Sequence, residues 1–397
     1  MRGRFVTRVW KHDPSLYAPA KYRRACKYEA FIPQPIAGMT FSLDARGAGV
    51  VSDAENAIRE LNAVAPRALA PLARLLLRTE AIASSKVEGV QMGVRELARA
   101  EARVEAGAKV GSTAMEIMGS VDAMELAIHE ATAVERLSVG EILAIHRRLM
   151  EKAPNPHVAG RMRTVQNWIG GNDYNPCGAD FVPPPAEHVP GLLEDLCAAV
   201  NEDALSPLVQ ASLVHAQFET VHPFDDGNGR TGRALIHVVL RRRRLAPAYV
   251  PPISVVLASQ RDNYIEGLTC YREGQLDRWL EHFAAAAARS AQLATAYLEA
   301  VGDLMERWRQ RLAGARAPRA DAAAWAVIDV LPAHPVITAP VAVAATGRAK
   351  AAIHQAIGEL AGADVLLPLS ASRRNRSWEA AGLLDLLGNL EAGELPT

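Results

Sequence analysis

Residues 222–233 read HPFDDGNGRTGR and bring one histidine, two aspartates, two arginines and three glycines together in twelve positions. His222 is the one side chain there that accepts a proton near neutral pH. The glycines supply backbone freedom. If a helix starts at about Arg230, the N–H groups of Gly227, Asn228 and Gly229 stand at its mouth, where free donors and the positive dipole end bind anions. Arg230 and Arg233 add fixed cations suited to phosphate oxygens. Asp226 would be repelled by a bare phosphate. It makes sense holding Mg²⁺, which takes one or two carboxylates together with phosphate oxygens and water. Each element has a plain alternative: DGNG is also a good hairpin turn, and a lone histidine is usually structural. Together they point to nucleotide-dependent group transfer.

Two helices must hold this loop. Before it, Ser206-Pro207 reads as a cap and first-turn pair ahead of LVQASLVHAQFETV, where Val214, Phe218 and Val221 share a face. After it, ALIHVVL keeps helical period, and Phe224 is expected to anchor the loop in the core. Ser138-x-x-Glu141 is a capping box for an earlier helix. Pro71 opens another, which Gly89 ends.

Four regions follow from the chain's 397 residues: an irregular arm with scattered Pro, Gly and aromatics and room for short strands (1–50), a helical region (51–111), a helical core (112–312) and a C-terminal unit (313–397). The last reads as three short helices followed by a strand, a basic turn (SRRNR) and a second strand, the pattern of a winged helix-turn-helix. Lys+Arg and Asp+Glu both number 44, which argues against a bulk electrostatic grip on nucleic acid or an acidic membrane. The N-terminus lacks a signal-peptide pattern, no apolar run reaches membrane-span length, and the four scattered cysteines read as free thiols. A cytoplasmic protein is expected, with no membrane partner.

At every position HPFDDGNGRTGR resembles the Fic family motif H-x-F-x-[DE]-G-N-G-R-x-x-R. The resemblance implies a mainly α protein, with a Fic-type helical core and a small β-hairpin flap. It implies transfer of AMP from ATP to a Ser, Thr or Tyr hydroxyl of a target protein. His222 would be the base and Asp226 the Mg²⁺ ligand. Asn228 and the Gly227–Gly229 backbone would cradle the phosphates, with Arg230 and Arg233 on the outer ones. A homodimer is what family analogy would add.

SSKVEG (84–89) resembles the family's inhibitory motif [ST]-x-x-x-E-[GN], met by Ser84, Glu88 and Gly89. The resemblance implies that Glu88 pairs with Arg233 and blocks the γ-phosphate site. The same glutamate serves some relatives in removing AMP, so a de-AMPylating hydrolase is a rival reading. ADFVPPP resembles the flap, which implies that Phe181, Val182 and Pro183 line the target site, by strand addition. Gln217, and the PISVVL segment, are candidates for contact with the adenine or ribose. GRMRTVQNWIGG (160–171) looks family-like and is assigned no chemistry. A DNA-binding regulator using the winged helix is the rival from another class, with a protein-interaction module as its plain counterpart.

Overall fold

The structure is a computed structural model that describes residues 3–15, 17–63, 70–105, 107–316, 318–369 and 376–396. It is mainly helical. Strands β1 (Arg4–Trp10) and β2 (Cys26–Ile32) come first. Helices α1 (Ala45–Ala63), α2 (Ala70–Val87), α3 (Val94–Glu105), α4 (Ser112–His129) and α5 (Val139–Met150) follow. Next are α6 (Val189–Val200), α7 (Pro207–Val221), α8 (Asn228–Arg242), α9 (Ile253–Ser259), α10 (Arg261–Arg272) and α11 (Leu276–Arg316). The chain ends with α12 (Ala323–Val330), β3 (Val336–Thr338), α13 (Ala339–Thr346), α14 (Lys350–Gly362), β4 (Leu366–Pro368), β5 (Ser377–Ala380) and α15 (Leu383–Glu391). No helix of the described residues is long and apolar enough to cross a membrane.

The chain divides into two compact units, each assembled from separate stretches. The first comprises Met1–Glu55, Asp122–Leu245 and Gln260–Ala285. Its centre is the pair α7 and α8, packed with α5, α6 and α10. The two central helices approach closely at Gly232, where an added Cβ would lie 2.9 Å from the Phe218 ring. Phe218, Phe224 and Phe283 are fully buried around them. The capping box at α5 is present: Gly140 N–H donates to Ser138 Oγ (3.1 Å) and Ser138 N–H to the Glu141 carboxylate (2.7 Å). At α7 the expectation holds in part. Ser206 is the N-cap residue and Pro207 opens the helix, but the serine side chain makes no capping bond.

The N-terminal arm does carry short strands: β1 and β2 form an antiparallel ribbon in which Phe5 faces Phe31 and Trp10 faces Cys26. The reading of the cysteines is corrected. Instead of four free thiols, Cys26 is joined by a disulfide to Cys177, 151 residues away. Only Cys197 and Cys270 are free and buried, and burial pushes the Cys197 thiol up to about 12.

The second unit comprises Asn56–Val121, Ala246–Ser259 and Ala286–Thr397. Ile82, Leu97, Ile117 and Met118 form one core cluster. The fully buried Glu80 carboxylate on α2 accepts from Ser254 N–H (2.8 Å) and Oγ–H (2.5 Å), which fixes α9 to α2. The C-terminal order of helices α12, α13 and α14 and a strand pair is as expected. A third strand was not foreseen, and the sheet order is β3-β5-β4, all antiparallel. This segment is not a compact unit by itself. Arg95 on α3 pairs with Glu379 on β5 (2.8 Å) and Asp385 on α15 (3.1 Å). Of the basic turn SRRNR, only Arg376 belongs to the described residues.

Candidate active site

His222 closes α7 as its C-cap, in the left-handed region (φ 48°, ψ 62°) that residues other than glycine rarely adopt. Its backbone is held on both sides. The N–H donates to Phe218 O (2.9 Å), and the carbonyl accepts from Arg163 Nε–H (2.8 Å) and Asn167 Nδ2–H (3.2 Å). Arg163 also reaches the carbonyls of Val165, Pro184 and Val221. One buried guanidinium therefore ties the end of α7 to the flap. The His222 ring is partly exposed, with Nδ1 3.4 Å from Glu219 O. A proton on Nδ1 donated to that carbonyl leaves the lone pair on Nε2, the form a general base needs.

From His222 the chain turns into the core through Phe224, which is fully buried and stacks parallel on His146 at 3.6 Å between ring centres. The tautomer of His146 follows from its partners. Gly160 N–H donates to Nδ1 (3.0 Å), so Nε2–H must donate to Asp226 O (2.9 Å). Burial lowers its pKa from 6.5 to about 4, against the pull of the Asp226 backbone bond, so the ring is neutral. Gly227 then adopts φ 76° ahead of α8. A Cβ there would meet Met150 Sδ at 2.9 Å and Leu149 Cδ2 at 3.1 Å, so only glycine fits.

The first-turn amides of α8 have no carbonyl one turn earlier to bond, and they open at this loop. Beside them stand Arg230 and Arg233, 4% and 1% exposed. Asp226 is half exposed, with Oδ1 3.6 Å from an Arg230 Nη. Among the described residues no group of three His, Cys, Asp or Glu side chains forms a metal cluster. A single open carboxylate beside phosphate-binding donors fits Mg²⁺, which takes the rest of its shell from phosphate and water.

Several expected roles change. Asn228 does not point its side chain at phosphate: it accepts from Phe224 N–H (2.8 Å) and donates to Phe224 O (2.8 Å), as a staple across the loop. The N–H of Gly227 is taken by its neighbour Asp226 (2.6 Å), so of the expected backbone cradle the amides of Asn228 and Gly229 stand at the helix mouth. Gln217 is committed elsewhere, donating to Gln34 O (2.8 Å) and accepting from the Tyr271 hydroxyl (2.8 Å). It is fully buried, which removes it as a nucleotide contact. PISVVL forms the start of α9, buried in the second unit.

The flap exists as a bridge between Ile169 and Phe181, with paired backbone bonds of 2.9 and 3.1 Å. Phe181 is partly exposed. Val182 and Pro183 are buried, and their carbonyls are already used, by Phe31 N–H (2.9 Å) and Gln166 Nε2–H (2.9 Å). Pro183 does not line an open surface as expected, whereas Val182, though buried, borders the same groove as Phe181.

Ser84, Glu88 and Gly89 belong to the second unit. Ser84 is buried near the end of α2. Glu88 and Gly89 follow it in a turn, with Glu88 N–H on Ser85 O (3.1 Å), Gly89 at φ 80° and Glu88 exposed.

Residues 136–240 match the model of the Fic/DOC family, and residues 49–129 match that of the Fic/DOC family N-terminal region. The chain carries a Fic domain. The Fic loop is residues 222–233, set between α7 and α8. Protein adenylyltransferase fic-1 of Caenorhabditis elegans is 33% identical over 120 residues, which is 30% of this chain and 22% of that protein. Protein adenylyltransferase Fic of Drosophila willistoni is 27% identical over 223 residues, 54% of this chain and 41% of the relative. The chain therefore matches less than half the length of these relatives. Among solved structures, a Fic family protein from Desulfovibrio desulfuricans superposes with TM-score 0.53 at 22% identity, covering 88% of this chain and 99% of that one. Fic-1 of C. elegans gives 0.52 at 23% identity, over 64% and 74%. Both show the Fic fold. Sequence reading missed the residues that brace the Fic loop: His146, Arg163 and Asn167. The last two lie in GRMRTVQNWIGG, whose likeness to the family was the available signal.

Proposed function

We propose that this Fic protein is a protein adenylyltransferase that moves AMP from ATP to a Ser, Thr or Tyr hydroxyl of a target protein. The observation that carries the reading is the His222 geometry: a partly exposed imidazole, fixed at the mouth of α8, with Nδ1 turned to a carbonyl. Nε2 takes the proton of the target hydroxyl as its oxygen bonds to the α-phosphorus, and pyrophosphate departs. General base help of this kind is worth about 10²–10⁴ in rate. The amides of Asn228 and Gly229 with Arg230 and Arg233 bind the phosphates. Asp226 would hold Mg²⁺, which supplies charge neutralisation on the phosphates when bound. Glu88, with Ser84 and Gly89 shaping the end of its helix, acts as a brake by pairing with Arg233.

The test is label incorporation from α-labelled ATP with Mg²⁺ into cell extract, comparing wild type, Glu88→Gly and Glu88→Gly with His222→Ala. Label should rise with the first substitution and vanish with the second. Equal label in the last two variants would sink the assignment of His222. No label in any of them, with AMP released from a previously modified target by wild type, would favour the hydrolase.

A further inference from the structure

In the first unit the flap ends in a loop, residues 170–180, that the Cys26–Cys177 disulfide joins to the start of β2. The loop holds its own shape. Asn172 Oδ1 accepts from Tyr174 N–H (2.9 Å) and Asn175 N–H (3.0 Å). Asn172 Nδ2–H donates to Cys177 O (3.2 Å), and Cys177 N–H donates to Asn175 Oδ1 (3.1 Å). Its hold on the N-terminal segment is slighter. Beside the disulfide stand a hydrogen bond from Asn175 Nδ2–H to Tyr22 O (2.9 Å) and a stack of Tyr174 on Tyr22 at 5.2 Å between ring centres. Both are partly open to water, where such contacts open and close readily. The covalent link therefore decides how firmly the loop is held.

This link is also where thiol chemistry can act. Cys197 and Cys270 are buried, whereas Cys26 and Cys177 are both partly exposed. Exchange requires an attacking thiolate to reach a sulfur, so a reductant in solution meets the bridge first. Opening it leaves the base of the flap in place. Phe31 N–H on Val182 O, and Arg163 on Pro184 O and His222 O, do not involve the loop. The loop answers to the bridge, while the base of the flap and His222 answer to Arg163.

We infer that the Cys26–Cys177 bridge is a redox-responsive clasp on the flap. Oxidised, it pins the loop and presents the flap in one position. The reductant is a dithiol. One of its thiolates bonds to a cysteine sulfur as the S–S bond breaks and the other cysteine leaves as a thiolate. Its second thiolate then displaces the first cysteine. Two electrons pass to the protein, the reductant becomes a disulfide, and its two protons end on Cys26 and Cys177. The released loop moves about its glycine ends, Gly171 and Gly178, and a target that docks on the flap meets a less ordered partner. That consequence rests on the transfer reaction proposed above, with the flap as the target's site. It adds a control on target capture to the brake on the nucleotide.

The test uses the full chain with Glu88→Gly, equilibrated in mixtures of reduced and oxidised dithiothreitol. Alkylation and mass spectrometry give the bridged fraction. Amide hydrogen exchange follows the flap, and AMP transfer from α-labelled ATP into desalted cell extract follows capture. From bridged to open, the amides of residues 169–181 should exchange about tenfold faster, with those of α7 and α8 changing by less than about twofold. Label should fall about fivefold in dilute extract and recover in concentrated extract, as weaker capture with intact chemistry requires. Cys26→Ser and Cys177→Ser should each behave as the open form in every mixture. Flap exchange that ignores the bridged fraction overturns the clasp, as does a bridge that never forms or never opens in the folded chain. A change spread evenly through α7 and α8 also overturns it, since that marks a plain stabilising crosslink. Flap loosening with unchanged label in dilute extract overturns the effect on capture. No label from any form counts against the transfer reaction, and the exchange result then still decides the clasp.

Discussion

Arg163 is expected to be the side chain whose loss disturbs both stability and chemistry, and Arg163→Met tests it with little change in bulk. The guanidinium is 2% exposed and donates to four carbonyls, those of Val165, Pro184, Val221 and His222. Bonds from a charged donor contribute about 1.5 kcal/mol each at the low end, about 6 kcal/mol for the set. Against that stands the cost of burying the charge, which lowers the arginine pKa from 12.5 to about 10. That drop corresponds to about 3 kcal/mol, recovered when methionine replaces it. The net expectation is a loss of about 3 kcal/mol in urea unfolding. Because His222 is held in a strained conformation through its own carbonyl, AMP transfer should fall by about 100-fold under conditions where the variant is folded. A variant within about 1 kcal/mol of wild type, with transfer intact, would refute the bracing role.

Three further substitutions follow the same reasoning. Asn228→Ala leaves the buried Phe224 N–H without its acceptor and should cost about 2–3 kcal/mol by urea unfolding, whereas Asn228→Asp, which keeps the acceptor, should cost less. Gly227→Ala forces a left-handed residue against Met150 and should cost at least about 2 kcal/mol, with weaker ATP binding by calorimetry. Glu391→Gln carries a pH signature. Burial raises the Glu391 carboxyl from 4.5 to about 7, while Arg78 and Lys86 pull it down and Glu101 pushes it up. The folded chain therefore holds the proton through that window while the unfolded chain has lost it. The resulting stability is complete below pH 4.5 and lost as pH rises through 7. The glutamine variant should match wild type near pH 5 and exceed it by about 2 kcal/mol at pH 8, as measured by parallel urea titrations.

Local chemistry was legible in the sequence and distant pairing was not. The capping box at Ser138, the proline start of α7 and the glycine turn into α8 each depend on residues within four positions, so their signals sit side by side. The Fic loop is of this kind, and the structure sets it between the two helices expected on either side, α7 and α8. What failed needed partners far along the chain. Asn228 has the chemistry to bind a phosphate, and only the position of Phe224 shows that its amide is already used. Gln217 faces its loop-ward neighbours in sequence but spends both polar atoms on Gln34 and Tyr271. His146 lies 80 residues before the Asp226 carbonyl it bonds, and no periodicity announces such a contact. Cys26 and Cys177 lack any short spacing that would have paired them.

The joining of Phe31 to Val182 and of Cys26 to Cys177 also sets an order of events during synthesis. Translation makes the ribbon before its partner on the flap, which emerges about 150 residues later, after about 8–30 seconds at about 5–20 residues per second. A two-stranded ribbon is at best marginally stable alone. For that interval the ribbon has been made without the flap that it joins in the finished protein. The ribbon thus settles only once the flap has been made, and it most needs shielding until then.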